Sequence, residues 1–407
     1  MPVLPLLAQP AAYRPCIQDL LADGAEVRGY WLDLFEAHLE TLASLPTGEG
    51  HLRDQGRWEV FRRGYLAELG ELRRDPARRG RLNVLELTRF REEQFEAAGI
   101  GDPFAELKRR ENALALRALP DVLRDVDAAS PRRRLELLVR GLLAGNLFDM
   151  GSKAAVDAYQ EPAAEVGLSR RDGGAFLAMR DRLRPRPWPV DDLDAWLDRS
   201  VPVAGPGGMP KRSAGMLPRS ETRCVYRQAL LFVDNAGPDV ILGAIPLARE
   251  LARLGTRVVL AANSRPALND VTAAELPAIL GECAGRDATL AALVRDDLTA
   301  VVASGGDAPL IDLAELTPEC CEAAAVSDLL ILEGMGRAIE SNFDARFTVD
   351  TLKIALIKDR MVARVLGVEL FDPVFRFEPG EEKSKSRKVK KSKEGPRGKT
   401  GLGGAYG

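Results

Sequence analysis

Five short aliphatic runs, each closed by polar residues and separated by helix-patterned stretches, dominate residues 224–379 and leave few folds open. They are ALLFV ending at Val233, RVVLAA ending at Ala262, LTAVVA ending at Ala303, LLIL ending at Leu332 and KIALI ending at Ile357. Strands this continuously apolar must be covered on both faces, the condition of a mostly parallel sheet between helical layers. The spacer 239–254 carries Ile241, Leu242, Ile245 and Leu251 at helical spacing and stops at Gly255, a natural C-terminal stop. A further run, residues 368–378, alternates and reads as an edge strand.

The first half has a different texture. Trp31, Leu34, Phe35, His38, Leu39 and Leu42 recur at three- and four-residue spacing, as do Leu135, Leu138, Val139, Leu142 and Leu143. Strand signals are almost absent there. The expected organisation is a helical domain over residues 1–200, a Pro/Gly/Ser-rich linker or long loop over 201–223, and a three-layer α/β/α domain over 224–379. Residues 380–407 form a basic tail without apolar content, read as disordered. Past Gly380 it has nine Lys or Arg against three Glu, net +6, which leaves −9 on the rest of a chain of net −3. Such a tail suits either plain solvation or an electrostatic tether, and only through it is a nucleic-acid contact conceivable.

Composition excludes several chemistries. The only two histidines, His38 and His51, leave little material for a Ser-His-Asp triad or a His-rich zinc site. The five cysteines are odd in number and lack a CxxC pair, which argues against a disulfide framework or a zinc ribbon. No window approaches a membrane span, and the start of the chain lacks a basic n-region, so a soluble cytoplasmic protein is expected. An enzyme built from this material works with carboxylates, amides, lysine and a hard metal ion.

Polar residues just past each strand are the site candidates, because open parallel sheets bind ligands at the carboxyl ends of their strands. Here they are Asp234-Asn235, Asn263-Ser264-Arg265, Ser304 to Asp307, Glu333-Gly334-Met335-Gly336-Arg337, and Lys358-Asp359. Asp234 and Asn235 offer oxygens to a divalent cation, and Asp270 offers another. Lys358 would neutralise phosphate, and Gly334 and Gly336 would leave bare amides for an anion at a helix start. Taken singly, Asp-Asn reads as a turn, and Asp239 or Asn269-Asp270 as helix caps. Convergence of all five strand ends favours the site.

The stretch LLFVDNAGPDVILGAIPLARELARLGTRVVLAANSRPALNDVTAAEL (residues 230–276) resembles the metal-dependent damage-control phosphatases, first described as a domain of unknown function. YRPCIQDL (13–20), GNLFDMGSKA (145–154), LEGMGRAIESNF (332–343) and LKIALIKD (352–359) agree, and resemble most the branch fused to pantothenate kinase-like domains. The resemblance implies an α/β/α phosphatase domain with a helical domain and a divalent metal (Mn, Co, Ni or Mg). It implies hydrolysis of small phosphomonoesters, in this branch 4′-phosphopantetheine and its oxidised or damaged forms, limiting their entry into coenzyme A synthesis. By the same resemblance, the metal ligands are Asp234, Asn235 and Asp270, the phosphate lysine is Lys358, and Asn263 is the amide of the second strand. The GNLFD block borders the site, which makes Asn146 and Asp149 candidates for substrate contact. Arg265 departs from the small residue expected there, and would narrow the pocket or touch phosphate. That departure keeps a broader sugar-phosphate phosphatase open, beside a non-catalytic metabolite-binding regulator. The attacking group is a metal-activated water or a carboxylate of Asp234 or Asp270.

Overall fold

The computed structural model describes residues 1–45, 54–147, 173–200 and 225–381. The 201–223 segment, Asp149, His51 and nearly all of the basic tail lie outside them. At its centre is a seven-stranded sheet in the order β1-β7-β6-β5-β2-β3-β4. The strands are β1 (Val190–Asp191), β2 (Gln228–Phe232), β3 (Arg257–Ala262), β4 (Thr299–Ala303), β5 (Leu329–Glu333), β6 (Asp350–Leu356) and β7 (Pro373–Glu378). Every pairing is parallel except β6 with β7.

Two strand readings shift. β6 begins at Asp350, three residues before the aliphatic run, because Asp350 is held there by Arg199 and by Tyr226 Oη at 3.0 Å. The alternating segment 368–378 forms a strand only from Pro373, and it is not the edge. Val190 and Asp191, from the helix-patterned half, pair with Val374 and Phe375 and cover it.

Alternation along each strand divides the core. Ala229, Leu231, Val258, Leu260, Ile331 and Ile354 join one apolar cluster, while Leu230, Phe232, Val259, Ala261, Leu330 and Ala355 join the other. This period of two, with both faces apolar, is what a doubly covered sheet demands. The first face is covered by α4 (Ala105–Asp127), α5 (Pro131–Leu147), α6 (Gly173–Arg182), α7 (Leu193–Ser200), α8 (Ile245–Arg253), α9 (Leu276–Ala284) and α10 (Ala288–Arg295). On the second face lie the N-terminal arm, α1 (Ala25–Ala43), α2 (Gln55–Arg74), α3 (Val84–Ala97), α11 (Pro318–Ala325) and α12 (Arg360–Leu366). Both clusters therefore draw on both halves of the sequence. No helix among the described residues is long and apolar enough to cross a membrane.

Two wide π-helical turns, Asp239–Ala244 and Met335–Glu340, follow β2 and β5, the central strands. Such turns are rare and concentrate at functional sites. The first crosses α5 at glycines: a Cβ on Gly145 would stand 2.8 Å from Asp239 Cα, and one on Gly243 would stand 3.0 Å from Leu142 Cα. That close crossing lowers Asn146, near the end of α5, onto the carboxyl end of β2.

Candidate active site

Asp234 leaves β2 where Phe232 pairs with Leu332 of β5, so the next residues of both strands emerge side by side. The Asp234 backbone N–H donates to Glu333 Oε2 at 2.9 Å. Asp239 returns on the first π-helical turn, and carboxylate oxygens of Asp234, Asp239 and Glu333 lie within 4.8 Å of one another, all three residues buried. Asn146 Nδ2 donates to Asp234 Oδ2 at 3.0 Å and Asp239 Oδ2 at 3.3 Å, and reaches Glu333 Oε1 at 3.5 Å. Asn235 gives Nδ2 to Asp234 Oδ2 at 3.1 Å and to Asp239 Oδ2 at 2.9 Å.

Asp270 meets this cluster through a guanidinium. Arg337, on the second π-helical turn and almost fully buried, donates to Asp234 Oδ1 and, at 2.7 Å, to Asp270 Oδ2. Asn263 Nδ2 holds the same Asp270 oxygen at 2.9 Å and the Ala308 carbonyl at 2.9 Å. Burial pushes the Asp234 carboxyl well above its usual range; Asp270 and Asp239 add to the push, and Arg337 and Lys358 oppose it. Glu333 is raised first by burial and then by Asp239 and Asp234, and Asp239 is raised by burial against its bonds from Asn235. Three such carboxyls in one dry cluster call for cations.

The donor set fits a hard divalent ion. It is all oxygen and amide, and Asn146 Oδ1, Asp239 Oδ1 and Asn263 Oδ1 are buried without a hydrogen-bond partner among the described residues. Asp234, Asn235 and Asp270, or Asp234 with Asp239 and Glu333, are the residues that would hold it.

Beside the cluster opens a cavity of about 570 Å³, whose walls include Asp234, Asn235, Asp270, Gly336 and Lys358. Lys358 Nζ donates to the Asn146 carbonyl at 3.0 Å, tying the end of β6 to α5. A further wall is α1: Tyr30, Trp31, Leu34, Phe35 and His38 line the cavity. Tyr30 Oη donates to Asp359 Oδ2 at 2.6 Å, which pins that wall to the strand-end rim. The cavity lining therefore combines charged and polar groups with aromatic and aliphatic ones.

Most candidates named from the sequence converge here, with distinct placements. Asn263 supports Asp270, while Asn146 and Glu333 join the carboxylate cluster. Gly334 serves differently from expectation: its N–H donates to the Ile354 carbonyl at 3.0 Å and is not bare. Its φ of +90° and the overlap that any Cβ would make with the Asp234 carboxylate explain the glycine instead. Ser264 and Arg265 are exposed: Ser264 Oγ accepts from Gly305 N–H at 3.0 Å, and Arg265 faces Glu96 at 3.5 Å, neither lining the cavity. The loop after β3 turns to the surface before its chain returns at Asp270.

Glu340 and the α1 wall are outside the candidates the sequence offers, Asp239 reads there only as a helix cap, and Arg337 is among the residues past the LLIL run without its bridging role. Arg337 stands in the quoted EGMGR block. The α1 residues are one helical stripe, a pattern that serves a core or a cavity equally. His38, on the same stripe, is on the cavity wall.

A sequence profile of the damage-control phosphatase ARMT1-like domain matches residues 45–374. The chain is 39% identical over 403 residues to pantothenate kinase 2 of Arabidopsis thaliana, covering 93% of this chain and 42% of that one. Against a damage-control phosphatase of Arabidopsis thaliana it is 36% identical over 354 residues, covering 85% and 87%. Against 4′-phosphopantetheine phosphatase of Mus musculus it is 32% identical over 429 residues, covering 92% and 48%. The chain thus spans about half or less of the pantothenate kinase 2 and 4′-phosphopantetheine phosphatase relatives. A solved DUF89 family protein from Pyrococcus horikoshii shares the fold, with a TM-score of 0.56 at 16% identity over 86% of this chain and 97% of that one. With most of its length matched by that profile, and a relative of similar size at 36% identity, this chain belongs to the ARMT1-like damage-control phosphatase family.

Proposed function

We propose that this protein is a divalent-metal-dependent phosphatase of the cytoplasm that hydrolyses 4′-phosphopantetheine and its oxidised or damaged forms, limiting their entry into coenzyme A synthesis. The observation that carries the reading is the mixed lining of the cavity, in which Asp234, Asn235, Asp270 and Lys358 share one space with Tyr30, Trp31, Leu34 and Phe35. A phosphate attached to a long, uncharged, partly apolar arm matches that lining, and about 570 Å³ is in the range of pockets that enclose such a molecule. Similarity to a relative named for this substrate supports the same reading. Arg265, which kept a sugar-phosphate substrate open, sits at the surface away from the cavity walls.

A divalent ion bound here, Mn²⁺, Co²⁺, Ni²⁺ or Mg²⁺, would neutralise phosphoryl charge and acidify water. The chain's own residues do the rest. Lys358 draws in the phosphate and offsets its charge as the transition state forms. Asn146 and Asn235 hold the carboxylates in register, and Asn263 holds Asp270. A carboxylate of Asp234 or Asp270 is the alternative nucleophile, and both are held by donors, Asp234 by Arg337 and two amides and Asp270 by Arg337 and Asn263. Water is the nucleophile in this reading, as a single turnover in ¹⁸O-labelled water should show by placing no label in the enzyme.

The test is phosphate release from 4′-phosphopantetheine, its sulfonate and fructose 1-phosphate, each with the four metals. The phosphopantetheine esters are expected to give the higher kcat/KM. A preference for fructose 1-phosphate would overturn the substrate, and absence of release from all three with every metal would overturn the enzyme.

A further inference from the structure

Glu340 ends the second π-helical turn and lines the same cavity as Gly336 and Lys358. It is 6% exposed, and among the described residues its carboxyl has no hydrogen bond or ion pair, although its backbone is firmly held. The Glu340 carbonyl accepts from Ile17 N–H at 2.8 Å, and the next carbonyl, Ser341, accepts from Cys16 N–H at 3.0 Å. Cys16 adopts a φ of +80°, unusual for a residue with a Cβ, to make that contact. A buried, unpaired carboxyl facing a substrate cavity from a braced backbone invites a chemical role.

Charged and titratable groups from several segments border it or share its cavity: Lys358 and Asp359 after β6, Arg360 at the start of α12, Cys16 on the N-terminal arm, Arg91 of α3, and Tyr30 and His38 of α1. Asp359 accepts from Tyr30 Oη at 2.6 Å and from the N–H groups of Met361 at 2.7 Å and Val362 at 3.0 Å, so it is fixed beside Glu340. Burial first, then Asp359, push the Glu340 carboxyl up to about 8 against the pull of Lys358. Burial raises the Cys16 thiol to about 12, so it adds no charge near neutrality.

We propose that Glu340 is the general acid of the reaction, giving its proton to the ester oxygen as the phosphoryl group departs. This rests on the phosphomonoester reading above. The P–O ester bond breaks and its electron pair stays on the leaving oxygen, which takes the Glu340 proton to become an alcohol. A new P–O bond forms to the attacking water, whose proton passes to solvent, and the Glu340 carboxylate is reprotonated from bulk water. Ester and water become alcohol and phosphate. A primary alkoxide leaves poorly without such a proton, whereas 4-nitrophenolate leaves unaided.

Leaving-group dependence tests this in the full chain loaded with Mn²⁺. Glu340→Gln keeps shape and neutrality while removing the proton. It is expected to lower kcat on 4′-phosphopantetheine by about 10²-fold or more, and on 4-nitrophenyl phosphate by less than about tenfold. Wild-type turnover of the alkyl ester should decline above about pH 8 with Glu340 ionisation, and that limb should vanish in Glu340→Gln and persist in Glu340→Asp. Equal losses on the two esters, or undiminished alkyl-ester turnover, would sink the assignment while leaving the phosphatase reading intact. Should fructose 1-phosphate prove the better substrate, it becomes the alkyl ester of the comparison. Wild-type inactivity on every ester would instead remove both readings.

Discussion

At the scale of single residues, the site is organised by a buried guanidinium that bridges buried carboxylates. Arg337 donates to both Asp234 and Asp270, and burial of all three makes the arrangement sensitive to loss of any member. Arg337→Met removes the cation and leaves two carboxylates in a dry site, an expected loss of about 3–5 kcal/mol in metal-free protein. Urea unfolding in EDTA checks the size. Added Mn²⁺ should restore more stability to the variant than to the wild type, since a bound ion would replace the missing positive charge. The same residue explains a limit of sequence reading: in EGMGR the arginine is visible, but nothing local says that it bridges the ends of β2 and the loop after β3.

At the scale of elements, α5 and the π-helical turn Asp239–Ala244 form the joint on which the carboxylate cluster depends. Gly145 permits the crossing, and Asn146 then reaches three carboxyl groups. Gly145→Ala would press a methyl group against Asp239 Cα, an overpacking expected to destabilise by about 1–3 kcal/mol. Activity should fall further than stability explains, because the helix end that moves carries Asn146 and the Lys358 anchor. A wild-type-like kcat with lowered melting temperature would show that the joint matters to the fold alone. The helical stripe of α1 had announced an apolar face. It could not announce that the face partners a cavity rimmed by Asp234 and Lys358, because periodicity reports which side is apolar and not what lies opposite.

At the scale of the whole molecule, buried carboxyls set the pH response. Burial raises Glu92 to about 6, Glu250 to about 7 and Glu340 to about 8, so the folded state holds protons that the unfolded chain, near about 4.3, has released. Their stabilising contribution is full below the unfolded value and is lost as pH rises through the folded ones. Stability in EDTA is therefore expected to decline between about pH 5 and pH 8.5, and calorimetry across that window would contradict the reading if it rose. The parallel sheet was legible from the sequence because aliphatic runs, turn residues and helical spacing are local properties, and Asp234, Asn235, Asp270 and Lys358 followed from the rule that strand ends carry ligands. Both faces of that sheet recruit helices from the first half, and Val190–Asp191 joins its edge, neither of which composition could indicate. By itself, then, the order of residues determined the layers and most of the polar rim. Tertiary structure alone decided that Asp239 and Glu333 crowd Asp234, that Arg337 spans Asp234 and Asp270, that Arg265 stays outside, and that α1 and Glu340 face the cavity. Those contacts join segments tens to hundreds of residues apart, and such meetings arise from how layers pack and cross, which no spacing along the chain records.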